Sequence, residues 1–274
     1  MAVHLVVRSR LVAVDADAAT VKGAQAAGTY ENKLWHTVGR SLRARVIRRL
    51  LDTPWRVAQY RDRFVATEMG TLCETVEPYT MVGYGRLRGL YKAVNQVITN
   101  GVPGDIVECG TARGGSAALM GLLLKKLDTT GRRLWVFDTF EGLPAPTNDD
   151  PDYEVARHLT GGCRGSIEEV TDLFKRLGFS DLTVPIKGLF EDTLRKSGVG
   201  PIAVLHLDGD WYRSVKVCLD EFWDQVSPGG VVQIDDYGHW AGARKAVNEF
   251  IAERSLNLKL HYLDYSGRQM VKPS

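Results

Sequence analysis

Short apolar runs alternate with helical segments from residue 104 to the end of the chain, and most of these runs end in an acidic residue or a glycine. Strands that are apolar along their whole length are typical of parallel sheets, which helices cover on both faces. We therefore predict a doubly wound α/β sheet, with a reversed final strand because little chain separates the last two runs. The runs are DIVECG, RLWVFD, LTVPIKG, PIAVLHLDGD, GGVVQIDDY, LKLHYLD and RQMVKP.

The chain is long enough for this domain and an appendage, since 44% of its 274 residues are hydrophobic and 25% are charged. We assign residues 1–75 to a mainly helical extension and residues 76–274 to the α/β domain. Apolar residues recur at helical spacing between about 31 and 68, and Pro54 should divide that stretch into two helices. Residues 141–170 form a polar insertion, and we predict a lid there, with a disordered insertion as the alternative.

Charge and cysteine usage restrict the partners. The formal net charge is only +2, so no overall field attracts nucleic acid or an anionic membrane, and we expect a small-molecule partner. No run of about 18 apolar residues predicts a membrane span, and we identify no signal peptide. The four cysteines form neither a CxxC site nor a disulfide framework, which favours a cytoplasmic protein. The helices before residue 70 could pack on their own chain or on a partner, and we expect a homo-oligomer.

A glycine-rich turn follows the first predicted strand of the sheet, in DIVECGTARGGSAALM. Gly110, Gly114 and Gly115 would let a ligand approach the backbone, as glycines do at such turns. The spacing is GxxxGG, which disfavours a dinucleotide and fits a nucleoside that carries an amino acid in place of phosphates. A glycine-rich turn without a ligand is the alternative; we favour the ligand because Glu108 also ends the strand.

Two further strand ends would complete the nucleoside site. Asp138 closes RLWVFD beside the glycine turn, where a carboxylate can accept both ribose hydroxyls, although an aspartate there is also a common helix N-cap. The backbone of Lys187–Phe190, which includes Gly188, follows the third strand and is placed to line the base. That assignment is positional only.

Acidic residues end two further strands, in HLDGDWY and VVQIDDYGHW. One predicted helix joins these strands, so they should be parallel neighbours whose carboxyl ends lie side by side. Asp208, Asp210, Asp235 and Asp236 would then converge, and a divalent cation such as Mg²⁺ would relieve their repulsion. The alternative is that they only shape a turn and cap a helix.

Two histidines lie near these acids. His206 alternates with leucines in its strand, so we interpret it as a packed histidine before a ligand. His239 follows the acidic pair and is a better candidate for contact with a substrate.

Five blocks in this order resemble the macrocin-type (TylF) sugar O-methyltransferases over about residues 75–274. The blocks are YTMVGYGRLRGLYKAV, VPGDIVECGTARGGS, VFDTFEGLP, LHLDGDWYRS and SPGGVVQIDDYGHWAGARKAV. The resemblance implies a seven-stranded class I S-adenosylmethionine-dependent methyltransferase fold, a Mg²⁺ site and an acceptor hydroxyl on a glycoside of a natural product. Residues 1–70 carry no family motif, so the acceptor stays open.

The resemblance also implies roles for individual residues. Asp208, Asp235 and Asp236 look like the metal ligands, and the candidates for catalysis are Asp208, Asp210 and His239, with the base unassigned among them. The implied cofactor contacts are Thr80, Met81, Glu108, Gly110, Thr111, Gly114, Ser116, Asp138, Gly188, Phe190 and Asp208.

Two rival functions follow from the same residues. A catechol-type methyltransferase would share the metal chemistry but hold a flat aromatic diol in a pocket of aromatic and apolar side chains. A noncatalytic methyltransferase-like binding protein would keep the glycine turn and lose the acidic cluster, and the four aspartates disfavour it.

Overall fold

A seven-stranded mixed sheet forms the centre of the protein. The computed structural model describes residues 42–128 and 131–273, with side chains from Asp52 onward. The sheet order is β3-β2-β1-β4-β5-β7-β6. Strands β1 to β5 pair in parallel, whereas β7 runs antiparallel to both β5 and β6. The predicted fold class and the reversed final strand are confirmed. The strands are β1 (Asp105–Cys109), β2 (Leu134–Asp138), β3 (Thr183–Lys187), β4 (Ile202–Leu207), β5 (Val226–Ile234), β6 (His261–Tyr262) and β7 (Arg268–Val271).

Helices cover both faces of this sheet. Alternate residues of a strand point to opposite faces, so Ile106 and Val107 enter two separate hydrophobic cores. Helices α2, α3, α4 and α6 pack on the Ile106 side, and α8 and α9 pack on the Val107 side. The helices are α1 (Leu42–Phe64), α2 (Glu68–Val76), α3 (Tyr84–Thr99), α4 (Gly115–Leu127), α5 (Tyr153–Ala156), α6 (Ile167–Leu177), α7 (Phe190–Thr193), α8 (Tyr212–Phe222) and α9 (Ala241–Glu253).

The predicted break at Pro54 is wrong. Helix α1 continues through this residue to Phe64. Proline removes one backbone hydrogen bond, but packing of the following turn can offset that loss. Trp55 and Ala58 in that turn pack against the core on the Ile106 side. The predicted helical stretch from 31 to 41 lies outside the described residues.

The strand order reverses between β1 and β4, and this reversal places a crevice at their carboxyl ends. Gly110 and Asp208, which follow these two strands, meet there. Gly110 has φ +95°, and a Cβ at this position would lie 1.9 Å from the carbonyl oxygen of Asp208. Only glycine therefore lets the two strand ends approach so closely. Among the described helices, none is both long and apolar enough to cross a bilayer.

Candidate active site

One cavity of about 420 Å³ opens at the carboxyl ends of β1, β2, β4 and β5. It brings together predicted residues from six separate stretches of sequence. The predicted residues that line it are Met81, Gly110, Asp138, Phe190, Asp208, Asp210, Asp235, Asp236 and His239. The other predicted residues, which lie outside its described lining, are Thr80, Glu108, Thr111, Gly114, Ser116 and Gly188.

Asp138 organises the glycine turn on one side of the cavity. Its Oδ2 accepts hydrogen bonds from the backbone N–H groups of Thr111 at 2.7 Å and Ala112 at 2.8 Å. Its Oδ1 accepts from the N–H of Phe140 at 2.7 Å. The carboxylate is thus fixed by backbone donors while it borders the cavity, and only Oδ1 keeps acceptor capacity for a ligand, because Oδ2 already accepts two hydrogen bonds.

The chain before α3 lies against the start of α4. A Cβ on Gly115 would lie 2.5 Å from the Cβ of Thr80, so this glycine admits the neighbouring segment. The Thr80 hydroxyl accepts from the N–H of Val82 at 3.0 Å, and Met81 next to it borders the cavity. The predicted pair Thr80 and Met81 therefore lies beside the glycine turn, with only Met81 at the cavity surface.

Glu108 and His206 form a buried pair beneath the cavity. His206 Nδ1 lies 2.9 Å from Glu108 Oε1, and its Nε2 lies 3.1 Å from Asp235 Oδ1. Burial alone would lower the pKa of His206, but hydrogen bonds to Asp235 and Glu108 raise it to about 10. The imidazolium then donates to both carboxylates. The prediction that His206 is a packed residue agrees with its complete burial.

Arg86 is the second cation beside Asp235, and it binds the carboxylate oxygen that His206 does not contact. Arg86 Nη1 donates to Asp235 Oδ2 at 2.5 Å, and its Nε donates to Asp264 Oδ2 at 3.1 Å. Burial would raise the pKa of Asp235, but the charge of Arg86 and the bond from His206 lower it to about 2. Asp235 is thus a carboxylate with two cationic partners.

Asp236 has the opposite environment, although it is the next residue. Its Oδ2 is buried and has no hydrogen-bond partner among the described residues. Burial and the charge of Asp235 raise the pKa of Asp236 to about 6. Burial and neighbouring carboxylates also raise the pKa values of Asp208 and Asp210.

The aspartates form two groups that share Asp208. Oxygens of Asp208, Asp210 and Asp236 lie within 4.8 Å of one another, and so do ligand atoms of His206, Asp208 and Asp235. Asp210 has φ +57°, a strained conformation for this residue type, and its Oδ1 accepts from the indole N–H of Trp240 at 2.9 Å. Carboxylates this close repel one another unless protons or a cation compensate them.

An aromatic wall continues from the acidic cluster. Trp211 and Trp240 contact edge to face with ring centroids 5.0 Å apart, and His239 contacts Trp240 at 4.7 Å. His239 Nδ1 is also hydrogen-bonded to the hydroxyl of Tyr265. His239 therefore borders the cavity in a fixed orientation, and its contact with a substrate stays a prediction.

Several residues that line the cavity were not predicted from the sequence. In the sequence, Arg86 resembles several other arginines on helical surfaces, and Trp211 and Trp240 resemble core residues. Tyr265 lies in the turn between β6 and β7, which carries no motif. The position of Arg86 within the first of the resembling blocks, YTMVGYGRLRGLYKAV, was the one available signal. The missed residues include Arg86, Cys163, Trp211, Trp240 and Tyr265.

The predicted insertion borders the cavity as well. Part of it forms α5, and its last residues form the start of α6. We use the name roof for residues 142–162, which supply Leu143, Pro144, Ala145, Thr147 and Leu159 to the cavity lining.

Comparisons with known proteins place this site in a family context. The sequence model of the macrocin O-methyltransferase (TylF) family matches residues 40–271. A Streptomyces olivaceus protein named 8-demethyl-8-(2,3-dimethoxy-alpha-L-rhamnosyl)-tetracenomycin-C 4'-O-methyltransferase is 39% identical over 193 residues, which are 69% of this chain and 74% of that protein. Mycinamicin III 3''-O-methyltransferase from Micromonospora griseorubida is 34% identical, over 74% of this chain and 81% of its own. The solved structure of the O-methyltransferase NovP has a TM-score of 0.68 and 34% identity, and the match covers 72% of this chain and 83% of NovP.

Proposed function

Because this chain belongs to the macrocin O-methyltransferase (TylF) family, and is an O-methyltransferase, we propose that it methylates a sugar hydroxyl of a glycosylated small molecule, with S-adenosylmethionine as donor and Mg²⁺ as metal. The observation that carries the proposal is the shared cavity, in which the glycine turn of β1 and the aspartates of β4 and β5 face the same space. The names of two relatives specify a primed sugar position, which supports a glycoside acceptor.

The residues around β1 and β2 fit S-adenosylmethionine. Gly110 borders the cavity with backbone alone, and Asp138 presents a fixed carboxylate at the cavity edge. We propose that Asp138 accepts the ribose hydroxyls, and that Met81, Gly110 and Phe190 contact the rest of the cofactor. Bound there, the cofactor supplies an electrophilic methyl group on a sulfonium.

The acidic cluster fits a divalent cation. Its donors are carboxylate oxygens, which Mg²⁺ prefers, and the partnerless Oδ2 of Asp236 is a buried acceptor that an ion would satisfy. We propose Asp208, Asp235 and Asp236 as the ligands. Asp235 keeps a free lone pair on Oδ2 beside Arg86, because Oδ1 already accepts from His206 and Gln233. A bound divalent ion lowers the pKa of a hydroxyl that it contacts.

We propose Asp210 as the base among the three candidates. It borders the cavity, and burial and the charge of Asp236 raise its pKa, which makes its carboxylate a stronger proton acceptor. The indole of Trp240 holds one oxygen, so the other can face the acceptor hydroxyl. His239, fixed by Tyr265, would orient the acceptor.

The test is turnover of a panel of acceptors with S-adenosylmethionine and Mg²⁺, followed by mass spectrometry. The proposal predicts glycosides that gain one methyl group on the sugar. Aromatic and apolar side chains also line the cavity, as a catechol-type enzyme would require, so aromatic diols belong in the same panel. Methylation of catechols but of no glycoside would replace the proposed acceptor class.

A further inference from the structure

Two helices begin directly after the acidic strand ends, and neither has a cap from its own N-cap residue. Trp211 precedes α8 and Trp240 precedes α9, and no side chain at these positions caps the helix. An indole has only a donor, so it cannot accept from the free N–H groups of the first helical turn.

The roof supplies both missing acceptors. Asp150 Oδ1 accepts from the N–H of Tyr212 at 2.7 Å, and Asp152 Oδ2 accepts from the N–H of Ala241 at 2.6 Å. A carboxylate at a helix N-terminus also interacts favourably with the helix dipole. The two aspartates therefore fasten one segment to the first turns of both helices.

Close packing and further hydrogen bonds reinforce this attachment. A Cβ on Gly242 would lie 2.2 Å from Asp150 Oδ1, so the glycine in the first turn of α9 makes room for the aspartate. The other oxygen of Asp150 accepts from the N–H of Thr147 at 2.9 Å, and the indole of Trp211 donates to the carbonyl of Pro144 at 2.8 Å. Asp150 is only 4% exposed.

The attachment leads back to the reacting groups. Trp240, immediately before Ala241, donates to Asp210, and the rings of Trp211 and Trp240 are in contact. The roof residues Leu143, Pro144 and Leu159 line the same cavity as Asp210. The position of the roof and the position of Asp210 are thus set by the same pair of helix starts.

We propose that Asp150 and Asp152 are positioning residues. They hold the roof as a wall of the acceptor subsite, in a fixed position relative to Asp210. This inference rests on the proposed function only for its kinetic part. It replaces the predicted lid, which would open and close, with a wall that determines which acceptors fit. Misplacement of a bound group by about 1 Å can reduce the rate about a hundredfold. Loss of this attachment should therefore have a measurable effect on turnover.

The test combines amide hydrogen exchange with steady-state kinetics on the full chain. Asp152→Ala and Asp150→Ala should speed exchange at Ala241 and Tyr212 respectively, because each amide loses its acceptor. The same variants should raise the KM for the acceptor about tenfold or more, with the Kd for S-adenosylmethionine within about twofold of the original value.

Two controls separate positioning from general damage. Asp152→Asn keeps a carbonyl oxygen that can accept from Ala241, so it should restore both exchange and KM. Asp149→Ala removes an exposed acid from the same segment and should change neither.

Unchanged exchange at Tyr212 and Ala241 would overturn the attachment, whatever the enzyme's substrate is. Faster exchange with an unaltered acceptor KM, or a parallel loss of cofactor affinity, would overturn the positioning role. If the unsubstituted protein methylates no glycoside, the proposed function fails, and the exchange data still decide whether the roof is fastened.

Discussion

The two sides of the cavity differ in how their carboxylates are held. At the β1–β2 side, backbone N–H groups surround one carboxylate, Asp138, and glycines let neighbouring chain segments approach closely. At the β4–β5 side, four carboxylates form two groups that share Asp208, and two cations, the partly buried Arg86 and the buried His206, compensate Asp235. The first side depends on chain geometry, whereas the second depends on a charge balance that distant elements supply.

The strongest test of this contrast is Asp208→Asn, since Asp208 belongs to both acidic groups but lies outside the glycine turn. Loss of one charge from the proposed metal site should reduce kcat by at least about a thousandfold. Calorimetry should find cofactor binding largely intact. Asp181→Asn, at an exposed acid, serves as the control, and full activity of Asp208→Asn would remove this residue from the mechanism.

Arg86→Met examines the charge balance itself. It leaves the fully buried Asp235 with one cation and removes a partner of Asp264, which should lower the free energy of unfolding by about 3 kcal/mol. Urea denaturation measures the change. Arg88→Met, on the same helix, removes a contact with the Trp55 ring and a charge near Asp62, which keeps Arg61 as its ion-pair partner, and should cost less than about 1 kcal/mol. Equal effects of the two variants would contradict a special role for Arg86.

Gly110→Ala examines the point where the two sides touch. The new Cβ would displace the backbone of Asp208, so cofactor affinity and turnover should both fall, with kcat/KM reduced about a hundredfold. Gly198→Ala also places alanine at a positive φ, but nothing lies within 4 Å of its Cβ. An equal loss in both variants would assign the effect to backbone strain alone.

The smallest effect is a pH dependence confined to the acidic side. Burial and Asp235 raise the pKa of Asp236 to about 6, and a metal binds only the deprotonated carboxylate. The Kd for Mg²⁺ should therefore rise below pH 6, by up to about tenfold per pH unit for this one group. Titration calorimetry between pH 5 and about 7.5 measures it. A Kd that does not change over this range would show that Asp236 is not a ligand.

The same contrast explains what could be predicted from the sequence. The strands, the glycine turn and the acidic ends follow from local patterns, so the fold and the aspartates of the cavity could be predicted. The partners of the aspartates were not, because Arg86 comes from α3 and looks like any surface arginine on a helix. Asp150 and Asp152 lie in a polar stretch that resembles a loose loop, and only the folded chain brings them to the starts of α8 and α9. The predicted helix break at Pro54 was wrong for the same reason, because the packing that stabilises the helix there is tertiary.

The most direct test of the central claim is the activity of the unsubstituted enzyme after EDTA treatment and after Mg²⁺ is restored, with Asp236→Asn in parallel. We predict that EDTA abolishes methyl transfer to a glycoside, that Mg²⁺ restores it, and that Asp236→Asn responds weakly to the ion while it still binds S-adenosylmethionine. Full turnover in EDTA would contradict the account, because the converging aspartates would then act without a metal.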